Sequence, residues 1–323
     1  MILAGDVGGT KTLIGLFHVD AARPMRVDVQ SFPTTEFSGL PAIIEAFYTS
    51  QPARPAVASA AFGVAGPVIE QRAQMTNVAW AVDAKELTDA FRFKRVRLLN
   101  DLEAMATSLP VLLKSEVTSL QAGVSQRHGN IALIAAGTGL GEAVLHRVGD
   151  AYAPLPSEGG HTDFASRTDR EMEFVRYLRG RYGRAEVEHV LSGRGLLNLS
   201  DFTHLDSGCA NNPDGPAPTT PAEVSANGLA ANCPRCVEAL DLFLSAYGAA
   251  AGNLALTAVA TGGLFVGGGI APRILPALQD GKFVAAFNDK GPMRPLLESI
   301  PVSVILNAEA GLLGAAVYAN GMK

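Results

Sequence analysis

Ile2-Leu3-Ala4-Gly5-Asp6-Val7-Gly8-Gly9-Thr10-Lys11-Thr12-Leu13-Ile14-Gly15-Leu16-Phe17 is the stretch that decides the fold. Apolar residues open a strand, Asp6 to Thr10 make a glycine turn, and a second strand runs from Thr12 to Val19, so the chain begins as a hairpin. The pattern returns in the second half. Ile131 to Ala136 is an apolar strand, Gly137-Thr138-Gly139-Leu140-Gly141 is a glycine turn, and Ala143 to Val148 is another strand. Two copies of strand, Gly/Thr turn, strand point to two domains related by duplication. The length of 323 residues agrees, at roughly 150 residues per domain.

Between the copies, Val27 to Phe32 reads as a third strand of the opening meander, and Pro41 to Tyr48 has helical spacing with Ile43, Ile44 and Phe47 on one stripe. Ala56 to Val64 is a small-apolar run that suits a strand buried on both faces. A polar connection, a helix over Asp83 to Phe91, the strand Val96 to Leu99 and a helix beginning at Asn100-Asp101 follow. Strands alternating with helices indicate an α/β domain with a largely parallel sheet. From Asp169 onward the chain reads as mainly helical, apart from a polar loop at Asp206 to Thr220. It returns to a strand at Leu264 to Val266, then Gly267-Gly268-Gly269, then a helix that Pro272 opens. The last strand, Val302 to Leu306, and the helix Ala310 to Ala319 are expected to pack back on the first domain.

Composition removes several function classes. Lys+Arg 26 against Asp+Glu 31 gives a net charge of -5, and no run of five or six basic residues exists. Nucleic-acid binding by phosphate neutralisation is therefore excluded as the main activity. Leu242 to Pro272 carries no charge and is long enough to cross a bilayer, but Gly248, Gly252, Asn253, Thr257 and Gly262-Gly263 interrupt it and no basic cluster flanks it. It reads as a buried helix, a turn and a buried strand. The start, MILAGDVGGT, lacks the basic and apolar regions of a signal peptide, so the expected location is the cytoplasm, without a membrane partner. The 34 glycines are the compositional feature that needs a reason.

Cys209, Cys233 and Cys236 form an odd set, which argues against a disulfide framework. The last two make a C-x2-C, with Cys209 and His204 as the remaining ligand types nearby. The spacing matches no zinc pattern, and the pair reads as incidental, at a helix start with Pro234 early in it.

A glycine turn after a strand lets backbone N–H groups converge on a phosphate. Gly5 to Thr12 fails the Walker A pattern, because Thr10 stands where its second glycine should be and a strand follows where a helix is needed. Neither Gly137 to Gly141 nor Gly267 to Gly269 fits the dinucleotide fingerprint G-x-G-x-x-G. Asn100-Asp101 follows an apolar strand, at the carboxyl end where open α/β sheets place ligands. Asp is a good N-cap, and a carboxylate there is also suited to take a proton from a bound alcohol. Ser157-Glu158-Gly159-Gly160-His161 sets an acid and an imidazole on a rigid turn, as sugar hydroxyls require once water is removed. Read alone, Glu188 is a plain surface carboxylate.

Taken in order, Gly5 to Thr10, Gly63-Val64-Ala65-Gly66-Pro67, Leu99-Asn100-Asp101, Gly137 to Gly141, Ser157 to His161, Leu191-Ser192-Gly193 and Gly267-Gly268-Gly269-Ile270-Ala271-Pro272-Arg273 resemble the bacterial ATP-dependent glucokinase family. The similarity continues through Asn288-Asp289-Lys290-Gly291 and Ala310-Gly311-Leu312-Leu313-Gly314, and its specificity lies in the ordered set. The resemblance implies an α/β, two-domain actin-like ATPase (ribonuclease H-like) fold with an interdomain active-site cleft. The implied domains are 1–110 plus 302–323 (small) and 111–301 (large). A homodimer is implied as well.

Carried over by position, Asp101 looks like the general base for the sugar 6-hydroxyl, and Asn100, Asp101, Glu158, His161 and Glu188 look like the sugar ligands. The turn Gly5, Asp6, Val7, Gly8, Gly9, Thr10 is similar to the family's first phosphate loop, with Asp6 near Mg2+. Gly137, Thr138 and Gly139 resemble the second, and Gly267, Gly268 and Gly269 the adenosine-side element. The resemblance overturns the surface reading of Glu188. Lys11-Thr12 departs from the closest glucokinase pattern toward ROK sugar kinases, whose Cys-rich zinc motif the cysteines here do not reproduce. The implied reaction is in-line transfer of the ATP γ-phosphoryl group to the 6-oxygen of glucose. A ROK-type kinase for fructose, mannose or N-acetylglucosamine stands second, and a non-catalytic sugar sensor third.

Overall fold

The computed structural model describes residues 1–20, 22–75, 78–205 and 217–322. Cys209 and most of the polar loop at 206–220 lie outside the described residues. The chain divides into two compact units. The first comprises Met1–Leu113, Tyr152–Pro156 and Asn307–Lys323, and the second Lys114–Ala151 and Ser157–Leu306.

In the first unit, β1 (Ile2–Val7), β2 (Lys11–His18), β3 (Met25–Pro33), β4 (Ser59–Val64) and, later in the chain, Arg95–Asn100 form one sheet. The connection that reads as polar holds a separate antiparallel sheet of β5 (Val68–Ile69), β6 (Arg72–Gln74) and β7 (Ala81–Asp83), which makes Arg95–Asn100 β8. The order is β3-β2-β1-β4-β8, with β1 antiparallel to β2 and parallel to β4, and β4 parallel to β8. Both faces of β1 and β4 are apolar because both are covered. Leu3 and Phe62 pack with Ile43, Ile44 and Phe47 of α1 (Leu40–Thr49) on one side. Ile2, Ala4 and Ala61 pack with Leu312, Ala315 and Ala316 of the C-terminal helix Ala310–Gly321 on the other. Each such fully buried Leu, Ile or Phe contributes about 1.5–3 kcal/mol. The helices α2 (Ala84–Phe91) and α3 (Asp101–Ser108) flank β8 in sequence.

The second unit repeats the scheme. It uses β9 (Val117–Gln121), β10 (Ile131–Ala136), β11 (Leu140–Val148), β13 (Gly263–Gly267) and β14 (Val302–Ile305), while residues 152–156 of β12 (Ala151–Ser157) group with the first unit. The order β11-β10-β13-β14-β9 has β10 antiparallel to β11 and parallel to β13, and β13 parallel to β14. This is the arrangement of β2-β1-β4-β8, so the duplication suggested by the two glycine turns extends to strand order and direction. The helices α4 (Asp169–Tyr182), α5 (Gly193–Thr203), α6 (Pro221–Leu229) and α7 (Pro234–Ala258) all contribute to its core, α7 most of the four.

Three expectations need revision or completion. The last strand belongs with the second unit, because Val302 and Val304 pair with Leu264 and Val266 on one side and with β9 on the other; the return to the first unit begins at Asn307. Pro272 does not open a helix. Residues 268–274 are turns closed by Arg273 N–H to Ile270 C=O, and the helix Leu275–Gln279 starts with Pro276 in its first turn. The apolar stretch at 242–272 is a helix to Ala258, an αL residue at Val259 and then β13, and 72% of the most apolar window of α7 is buried within the protein.

Candidate active site

In the first unit the carboxyl ends of three parallel strands lie side by side, with Val7 paired to Val64 and Val64 to Asn100. The register brings the Asp6 to Thr10 turn, the Gly63 to Pro67 segment and Asn100-Asp101 to one edge. The Asn100 side chain accepts the Leu102 N–H at 2.9 Å, while the Glu103 carboxylate accepts the Asn100 N–H at 2.9 Å, a full capping box for α3. Asn100 also donates from Nδ2 to the Gly66 carbonyl at 3.2 Å, so it bridges two strand ends. Asp101 is the first helical residue, half-buried, and its Oδ1 accepts the Leu102 N–H at 2.9 Å. The capping reading thus belongs to Asn100, and Asp101 is held by the helix that Asn100 starts.

Asp6 sits at the end of β1. Only part of it reaches solvent, and burial pushes its carboxyl up to about 6, with Lys11 pulling the other way. The N-terminal turn of the C-terminal helix lies against it: a Cβ on Gly311 would stand 2.8 Å from Asp6 Oδ2. Gly8 donates to the Lys11 carbonyl at 3.0 Å and its own carbonyl accepts the Thr34 hydroxyl at 2.8 Å, which anchors the turn. Val7 is buried, Gly8 and Gly9 are half-buried, and Thr10 is exposed.

In the second unit, the turn after β10 and the turn after β13 are neighbours, since Ala135 pairs with Gly267. Gly268 has φ +82°, and a Cβ there would stand 2.2 Å from the Ala136 carbonyl oxygen, so only glycine fits. Gly137 N–H bonds the Gly139 carbonyl at 2.8 Å, and the Gly193 N–H at the start of α5 bonds the Gly137 carbonyl at 2.8 Å. A pocket of about 810 Å³ opens beside them, lined by Gly137, Thr138, Gly193, Arg194, Gly269 and Arg273 among others. That volume suits a nucleotide-sized ligand. Of the three glycines at 267–269, Gly269 lines the pocket; Gly267 ends the strand and Gly268 makes the bend.

The second cluster of the same unit surrounds His161. Gly159 to His161 form one 3-10 turn, with Glu158 preceding it and the Gly159 N–H held by Ser157 Oγ at 3.0 Å. The Gly160 carbonyl accepts the Glu188 N–H at 2.8 Å, and the Glu188 carboxylate accepts the Leu140 N–H at 2.8 Å. Glu188 is thereby tied at once to the Ser157 to His161 segment and to the glycine turn. His161 Nδ1 lies 2.9 Å from Glu186 Oε2, and this bond raises the imidazole above its usual range, opposed by partial desolvation and aided by the charges of Glu188, Glu186 and Glu158. Glu142, next to Gly159, is pushed up to about 7 by burial.

Glu158, His161 and Glu188 therefore share one region, and Gly137, Thr138 and Gly269 share another, connected through Glu188 and Leu140. Glu142, Glu186 and Arg194 are absent from the residues singled out in the sequence, and Arg273 enters there only as the end of the Gly267 to Arg273 segment. Glu186 carried no periodic signal, because it stands where an isolated bridge to Asp163 passes into a turn closed by the His189 N–H on the Glu186 carbonyl. Glu142 did carry a signal, as an acid inside a strand that is otherwise apolar at Leu140, Ala143 and Leu145.

A sequence model of the Glucokinase family matches residues 3–322. The chain belongs to the glucokinase family. A glucokinase of Trichormus variabilis is 38% identical over 99% of this chain and 98% of its own. A crystal structure of glucokinase from an Antarctic psychrotroph superposes with a TM-score of 0.88 at 31% identity, covering 98% of each chain. A ROK family glucokinase from Streptomyces griseus, solved with glucose and AMPPNP, gives a TM-score of 0.65 at 19% identity over 98% of each chain, which is a likeness of fold alone. Glucokinase-family membership and the duplicated α/β units establish the two-domain actin-like kinase fold. They also favour the glucokinase assignment over the ROK-type alternative raised by Lys11-Thr12.

Proposed function

We propose that this chain transfers the γ-phosphoryl group of ATP to the 6-hydroxyl of D-glucose, giving glucose 6-phosphate and ADP, with Asp101 as general base. Membership of the glucokinase family across residues 3–322 carries the reading. The position of Asp101 supports its role: it stands at a strand end, its orientation set by the Leu102 N–H and by the capped start of α3. The carboxylate takes the 6-hydroxyl proton as the oxygen attacks, a contribution typically worth 10²–10⁴-fold. Asn100, Glu158, His161 and Glu188 bind the sugar hydroxyls. The region around His161 supplies three acceptor carboxylates and one imidazole for them.

ATP is assigned to the glycine turns. The Gly8 and Gly137 N–H groups close their own turns, and the remaining turn N–H groups of Gly9 and Thr10 and of Thr138 and Gly139 hold phosphates, while the Gly269–Arg273 side of the 810 Å³ pocket takes the adenosine. Asp6 fits Mg2+ as a hard oxygen donor whose burial disfavours a bare negative charge. When bound, Mg2+ neutralises charge on the β- and γ-phosphate oxygens. The family resemblance further supports a cytoplasmic homodimer working in glycolysis.

The test is ADP release measured in parallel with glucose, fructose, mannose and N-acetylglucosamine, for the wild type and Asp101→Ala. Glucose should have the highest kcat/KM, and the variant should retain glucose binding while losing at least about 100-fold in kcat. Wild-type turnover in the variant would remove Asp101 from its role, and a preference for another hexose would overturn the substrate. Light scattering on the eluting protein tests the dimer.

A further inference from the structure

His204, Cys233 and Cys236 are all buried, and their ligand atoms lie within 4.8 Å of one another, although His204 and Cys233 are 29 residues apart. None of them belongs to the regions assigned to sugar or nucleotide. His204 caps the end of α5, and its Nδ1 bonds the Ser200 carbonyl at 2.7 Å. A carbonyl only accepts, so Nδ1 carries the proton and the Nε2 lone pair is directed to the opposite side. There it meets Cys233 Sγ at 3.5 Å. Cys233 is the N-cap of α7 and Cys236 lies in its first turn, while Thr203 donates to the Arg235 carbonyl at 3.0 Å and locks the end of α5 to the start of α7.

We propose that His204, Cys233 and Cys236 form a structural zinc site. Two sulfurs and one imidazole are a donor set that suits tetrahedral zinc. With Zn–S about 2.3 Å and Zn–N about 2.0 Å, tetrahedral geometry sets adjacent S and N roughly 3.5 Å apart and two sulfurs about 3.8 Å apart. The observed Nε2 to Sγ distance has the first value. A histidine whose second nitrogen donates to a backbone carbonyl is the usual way such a ligand is oriented. Binding replaces the two thiol protons, which leave to solvent, with bonds from two thiolates, and the first turn of α7 stabilises those charges. The fourth position is left to a further donor, water included. The metal would clamp the end of α5 to the start of α7, holding the helix whose other end leads into β13 and the Gly267–Gly269 turn.

The full chain is expressed with added zinc and purified without chelator, and its metal content is measured. About one zinc per chain is expected, falling below one tenth in the Cys233→Ser/Cys236→Ser double variant. Because that variant risks misfolding, metal-free wild type is also titrated with Co2+ alone. A near-ultraviolet thiolate-to-cobalt band, with the visible absorption of tetrahedral cobalt, should saturate at one equivalent and be displaced by zinc. Wild type without zinc and without the cobalt band overturns the proposal. So does zinc content unchanged by the double substitution, or a Cys233–Cys236 disulfide as the main form of the fresh protein.

Discussion

The Glu188 carboxylate accepts the backbone N–H of Leu140 at 2.8 Å, joining a residue of the proposed sugar site to the end of the glycine turn that borders the nucleotide-sized pocket. Charged acceptors make the stronger hydrogen bonds, of about 1.5–3 kcal/mol. Glu188→Ala should lower unfolding free energy by about 1–3 kcal/mol in urea titrations, whereas Glu188→Gln, which retains an acceptor oxygen, should lose under about 1 kcal/mol. Both should raise the KM for glucose. Equal destabilisation by the two substitutions would contradict the bond as the source of stability.

Gly268→Ala places a methyl against the Ala136 carbonyl at a backbone angle of φ +82°. The cost expected is about 2 kcal/mol or more, read as a drop in Tm. Because Gly269 lines the pocket, the KM for ATP should rise several-fold more than the KM for glucose. Parallel steady-state titrations of the two substrates decide it, and a glucose-only effect would detach this turn from the nucleotide.

Glu142 gives the fold a pH dependence. Its carboxyl is pushed up to about 7 in the folded state from an ordinary value of 4.5. Below the ordinary value it is neutral in both states; as pH rises to 7 the unfolded chain ionises first and the fold loses roughly 2–4 kcal/mol. Glu142→Gln should therefore stabilise the protein markedly more at pH 8 than at pH 4.5, measured by chemical denaturation. The same difference at both values would rule out a burial penalty on this carboxylate.

Much of the fold was legible in local pattern. The strands at 2–7 and 131–136 and their glycine turns announce themselves because a buried parallel strand needs a continuous apolar run and a tight phosphate-type turn needs glycine. Asn100-Asp101 was legible for the same reason, as a polar pair directly after such a strand. Pro272 misled: a proline suits the start of a helix, but it equally suits the turn that Ile270 and Arg273 close here. The apolar character of the strand at 302–305 does not say which sheet will pair with it, and its nearness in sequence to the last helix points to the wrong unit.

The α/β alternation, the duplicated hairpins and the polar residues at strand ends all follow from periodicity and turn chemistry within a few residues. Which distant groups meet is settled by packing. Glu188 reaches Leu140 across 48 positions, His161 finds Glu186 across 25, and His204 faces Cys233 across 29. Such meetings depend on helix packing and loop paths over many residues, and no local spacing rule encodes them. The cysteine pair, incidental along the chain, gains a third buried ligand only when α5 ends against the start of α7.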